Sequence, residues 1–222
     1  MYLEETAAYI DNYQKERILD ELFHNAYRTI SSVYLFKHFD DYVLQLHSDK
    51  NEDKKEVYWN ASYYEKLIDY VKISIAFENY NKAILLQNGI LVHKIKRTKL
   101  YKKFNEIQSA GKPVYVNDFI NEFSILTNNE NEIFLNGLTD SFQTINYSDT
   151  LNENYQHIIK LDFDLNYRLK EINEKRNRLH FFTDFKGAFE LRSHVSKWRF
   201  IKDKSIETIE KRFKENSLTT KT

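Results

Sequence analysis

The chain contains no cysteine, one proline, at position 113, and four glycines, at 89, 111, 137 and 187. Without cysteine there can be no disulfide framework and no thiolate metal site. So little Gly and Pro leaves too few turn residues for a sandwich or barrel built of many short strands. A doubly wound nucleotide fold is disfavoured too, because its glycine-rich phosphate loop is missing. Nor is there a run apolar enough to sit in lipid. The most apolar stretch, Ile73 to Ile95, is interrupted by Glu78, Asn79, Asn81, Lys82, Gln87, Asn88 and His93. The opening Met1-Tyr2-Leu3-Glu4-Glu5 places acids where a secretory signal needs basic residues. A cytoplasmic protein with no membrane segment is expected.

What remains supports a packed core. The 222 residues are 41% hydrophobic and 15% aromatic, which argues against global disorder. The periodicity is helical. Ile18, Leu22, Ala26 and Ile30 recur every four residues, and the pattern predicts helix from about Glu5 to Leu46. The polar run Ser48–Glu56 reads as an exposed loop, after which Asn60 or Ser62 could cap a helix that ends at Gly89. A third helix is expected over Val92–Gln108, with short ones near Asp118–Leu126 and Glu132–Thr144. A long helical pattern runs from Leu151 past Leu179, and a last helix covers Phe189–Lys214. The expected fold is all-α, an antiparallel helical bundle over 1–215 with an irregular insertion around 113–149 and a frayed tail at 216–222.

Charge is balanced overall, at 33 Lys and Arg against 33 Asp and Glu, but not locally. Arg168–Thr222 holds 15 basic residues against 8 acids, whereas Val114–Asp164 holds Lys160 alone against nine acids. Lys94, Lys96, Arg97, Lys99, Lys102 and Lys103 form a run with no acid inside it. A phosphate ligand responds to these local fields rather than to the zero total. The plainer alternative is that such runs are solvated helix faces.

Searches for a phosphate-cradling loop, a His-Glu-x-x-His pair, a calcium loop and a nucleophile elbow find nothing, and no histidine spacing suggests metal ligands. No metal and no cofactor are expected. One segment carries chemistry: Glu174-Lys175-Arg176-Asn177-Arg178-Leu179-His180. On a helix Arg176 and His180 share a face one turn apart. Arginine can grip a phosphate with two parallel hydrogen bonds, histidine can move a proton near neutral pH, and Asn177 adds an amide donor and acceptor. Metal-independent RNA cleavage needs these parts: a base for the 2′-hydroxyl proton, a cation for the crowded phosphorane, and an acid for the leaving oxygen.

An Arg-Asn-polar-apolar segment leading to His, late in a helical chain with no Cys and few Gly, resembles the HEPN superfamily. Its members are helical bundles, many of them ribonucleases of toxin–antitoxin, abortive-infection and CRISPR systems. The helix Tyr64–Gly89, with Glu78-Asn79-Tyr80-Asn81-Lys82, is similar to the first core hairpin of such proteins. The resemblance implies an endoribonuclease that pairs as a homodimer, so that the two motifs build one cleft, with a possible antitoxin or defence-complex partner. It implies Arg176 as the phosphate-contacting cation, Asn177 as a positioning group and His180 as the proton-transfer group. Lys175, Arg178, Lys186, Arg192 and the Lys94–Lys103 run would guide the RNA, and Glu78 could orient the Arg176–His180 pair from a facing helix.

Here the motif departs from the family. Three residues separate Arg176 from His180, where the family has four to six. Counting from Lys175 restores four, but lysine cannot make the two-pronged contact. Either the register shifts locally or catalysis has been lost, which leaves a noncatalytic RNA-binding or interaction subunit as the alternative. On the structural side, His180 could close a helix C-terminus, where its charge suits the dipole. Arg176 and Arg178 could pair with Glu174 and Glu171, and Glu78 with Lys82. Phe181, Phe182, Phe185 and Trp198 are expected in the core.

Overall fold

A computed structural model of the chain describes residues 12–48, 52–124, 143–179 and 191–219. These residues are mostly helical, as the sequence predicts, and among them no strand forms beyond two isolated antiparallel bridges. In chain order the described helices are α1 (Asn12–Ser31), α2 (Tyr34–Ser48), α3 (Glu52–Gln87), α4 (Lys102–Ser109), α5 (Val116–Ser124), α6 (Tyr147–Thr150), α7 (Glu153–Ile159), α8 (Phe163–Leu179) and α9 (Leu191–Thr219). They group into two compact units. One unit combines the chain up to Phe23 with Glu78–Leu161, and the other combines His24–Phe77 with Asp162–Thr222.

In the unit formed by His24–Phe77 and Asp162–Thr222, the helix expected over 5–46 is interrupted. Ser32 and Val33 turn back on Thr29 and Ile30, and α2 restarts at Tyr34. The new start is capped from far along the chain. Asp69 of α3, fully buried, accepts the amide of Tyr34 on one carboxylate oxygen and that of Leu35 on the other, both at 3.0 Å. A helix leaves its first four amides without intrahelical partners, and a carboxylate there also meets the positive end of the dipole. Lys72, one turn further along α3, donates to the Ser32 carbonyl at 2.7 Å and lies 3.9 Å from Asp69. Helix α3 itself begins at Glu52, inside the run expected to be a loop, and passes through the proposed caps Asn60 and Ser62. Glu52, Lys54, Lys55 and Glu56 are good helix formers, so a polar run need not be a loop.

The other unit holds most of the non-helical backbone. Buried Leu91, Ile95, Tyr101, Phe104, Val114, Val116 and Phe119 pack into one cluster, with Phe104 edge-on to Phe119 at 5.1 Å. Residues 90–96 are extended rather than helical, correcting the expectation of a helix from Val92. The amide of Leu91 donates to the Val114 carbonyl and that of Ile145 to the Val92 carbonyl, both at 2.8 Å. Side chains of α4 hold the same stretch: Gln108 accepts from the Ile95 amide and donates to the His93 carbonyl, while Asn105 donates to the Ile95 carbonyl. The spacing Val92-x-x-Ile95 fits a helical period, and these long-range bonds override it. The pattern from Leu151 onward also divides. Lys160, at φ 59°, ends α7 in the left-handed region, and α8 starts three residues later.

Gly89 stops α3, as its position suggests. Its φ is +73°, its amide donates to the Leu86 carbonyl, and the Ile90 amide donates to the Leu85 carbonyl. That pair of bonds is the Schellman arrangement, completed by two fully buried side chains, Leu85 and Ile90. Nothing lies within 4 Å of where a Cβ would stand at Gly89. Gly89→Ala is therefore expected to cost about 1 kcal/mol from backbone strain alone, with no clash. Urea unfolding checks it, and a loss several times larger would mean that the site is crowded.

Candidate functional site

The candidate motif occupies the last described turn of α8. The helix is started by Asp162, whose carboxylate accepts the Leu165 amide at 3.1 Å and whose carbonyl accepts the Asn166 amide at 2.8 Å. Its inward stripe is Leu165, Leu169 and Ile172, all buried. The same four-and-three spacing reaches Arg176 next, and Arg176 is half-buried. The guanidinium thus takes a register position that the preceding two turns give to apolar side chains. Asn177, one residue round the helix, is exposed. Asn173, a turn before Arg176, is a buried polar residue that sequence reasoning passes over. A polar residue directly after Ile172 in this stripe was the available signal.

Lys175, half-buried, faces an aromatic ring. Its ammonium lies 5.8 Å from the centroid of the Tyr70 ring of α3. Tyr70 in turn stacks on Trp198 of α9, with centroids 5.3 Å apart and planes 26° from parallel. Trp198 is buried, in the core as its size suggests. Burial pushes the Tyr70 hydroxyl well above the usual tyrosine range, and the nearby Glu171 carboxylate pushes it the same way. Tyr70 therefore stays neutral and acts as a cation-binding face, an arrangement invisible in a linear motif. Glu171 is ion-paired with Arg168 at 2.7 Å, three residues before it.

The other predicted residues fall in different places. His180 and Lys186 lie outside the described residues, as do Phe181, Phe182 and Phe185. Arg178 and Arg192 are on α8 and α9, with side chains outside the described set. Glu78 belongs to the unit of Glu78–Leu161, whereas α8 belongs to the other. Its carboxylate accepts a hydrogen bond from Lys82, one turn along α3, forming the ion pair that the four-residue spacing suggests. The Lys94–Lys103 run also belongs to that first unit. Among the described residues no group of three or more His, Asp and Glu side chains is placed to hold a metal ion, and no helix is long and apolar enough to cross a membrane.

No protein-family model, curated protein or solved structure matches the chain.

Proposed function

We propose that the chain is a metal-independent endoribonuclease of HEPN type, acting as a homodimer in a bacterial defence or toxin–antitoxin system. The observation that carries this reading is the register of Arg176. Arg176 is half-buried in line with Leu165, Leu169 and Ile172, so part of its side chain is withdrawn from water. Cations in such positions concentrate where charge is used, because a partly dry site strengthens their hold on a phosphate. Arg176 stabilises the phosphorane, Asn177 positions the phosphodiester from the adjacent exposed position, and His180 transfers the proton. The 2′-hydroxyl oxygen attacks phosphorus and gives its proton to a base. The bond from phosphorus to the 5′-oxygen breaks, and that oxygen takes a proton from an acid. One His180 from each protomer supplies the base and the acid.

The reading requires cleavage in excess EDTA, leaving a 2′,3′-cyclic phosphate and a 5′-hydroxyl. A single 2′-deoxy substitution at the scissile position should abolish the cut. Cleavage that survives the deoxy substitution, or that needs a divalent ion, removes the proposed chemistry.

A second reading is a noncatalytic RNA-binding subunit of a defence complex. It is favoured by Lys175: with its ammonium against Tyr70, the four-residue register from Lys175 to His180 loses its cation. Only the short Arg176–His180 register then remains. RNA bound tightly with no product after prolonged incubation would select this reading.

A further inference from the structure

The unit of Glu78–Leu161 carries a cationic surface of its own, distinct in sequence and element from α8. Between Lys94 and Asn105 there are six cations and no acid. The structure divides them into two groups. Lys102 and Lys103, in the first turn of α4, are ion-paired with Glu106 at 3.7 Å and Glu122 at 2.9 Å. Lys94 donates to the Asn146 side chain at 3.0 Å. Lys96, Arg97 and Lys99 have no carboxylate partner among the described residues, and Arg97, Thr98, Lys99 and Leu100 are consecutive exposed positions. Among the described residues, then, these three cations are the ones of the run not committed to another side chain.

They are also held in place. The Ile95 amide and carbonyl are both taken by α4 side chains, Gln108 and Asn105. Ile95 and Tyr101, buried at either end, pin the exposed turn between them into the cluster around Phe119. An ordered frame carrying mobile charged tips loses less entropy on binding than a free loop does. Leu100, half exposed in the same turn, offers an apolar surface to an unstacked base.

We propose that this turn binds the phosphodiester backbone of single-stranded nucleic acid, with Lys96, Arg97 and Lys99 as the phosphate contacts. The site is independent of the chemistry proposed at α8, and only the choice of RNA over DNA rests on that reading.

The test uses the full chain and a fluorescein-labelled single-stranded deoxyoligonucleotide of mixed sequence, followed by anisotropy across a salt series. A deoxy strand lacks the attacking hydroxyl, so binding is read apart from cleavage. The variant Lys96→Gln/Arg97→Gln/Lys99→Gln should bind about 10- to 100-fold more weakly near physiological salt. The slope of log affinity against log salt should fall by about 2, three phosphate contacts at roughly 0.7 each. A control of equal charge change, Lys197→Gln/Lys211→Gln/Lys214→Gln on α9, should change affinity by less than about 2-fold. Unchanged affinity and slope in the turn variant would overturn the proposal, and so would an equal loss in the control. Displacement of the strand by polyglutamate of matched charge would also overturn it, pointing to an acidic protein surface instead. All variants should melt at the wild-type temperature. Failure of RNA cleavage would leave this proposal standing, and unchanged binding would end it with the α8 chemistry intact.

Discussion

Arg176→Ala is expected to lower the cleavage rate by about 100- to 1,000-fold while leaving RNA binding within a few-fold of wild type. Removing one preorganised donor from a developing oxyanion typically costs this much, because the donor acts more strongly on the transition state than on the ground state. The loss should fall on kcat, with KM nearly unchanged. Arg176→Lys keeps the charge but not the planar fork, and should recover only a minor part of the rate. His180→Ala should cost at least as much and remove the bell-shaped pH dependence of the rate. Arg176 is half-buried, so a fall in melting temperature could mimic an activity loss. Rates are therefore to be compared well below the melting transition of each variant. An Arg176→Ala protein that stays folded and retains most of its rate would remove the arginine from the mechanism.

The second large effect concerns stability. Asp69→Ala should destabilise the unit of His24–Phe77 and Asp162–Thr222 by about 2–4 kcal/mol. The change deletes two charge-assisted bonds to the amides of Tyr34 and Leu35. It leaves both amides uncapped, that of Leu35 at a buried position, and removes the carboxylate facing Lys72. Asp69→Asn keeps one good acceptor and should cost roughly half as much. Lys72→Ala, which loses the bond to the Ser32 carbonyl on a more exposed side, should cost about 1 kcal/mol or less. Urea unfolding followed by far-ultraviolet circular dichroism orders the three. If Asp69→Ala were no worse than Lys72→Ala, the capping role assigned to Asp69 would be wrong.

Asp69 also marks where legibility in the sequence ended. The apolar stripe from Leu22 to Ile30 and on through Phe36 is helical at every step, so no local signal breaks it at Ser32. The break depends on a carboxylate more than thirty residues away. The same holds at Ile95, where Gln108 and Asn105 hold a stretch extended that composition alone would make helical. In the candidate site the positions of Arg176 and Asn177 on α8 could be read from spacing. The engagement of Lys175 with Tyr70, and of Tyr70 with Trp198, could not, because those three residues lie on three different helices.

By itself the sequence determined the helical class, the stop at Gly89 and the register of the α8 stripe up to Arg176. Each depends on backbone propensities and periods that act over one or two turns. Tertiary structure decided where the helices break, which of the Lys94–Lys103 cations are already paired, and that Lys175 lies against an aromatic ring. The physical reason is common to all three. Apart from the Lys102–Glu106 pair within one helix, each outcome is set by hydrogen bonds and charges between residues distant in the chain, and their energies rival the local preferences that they override.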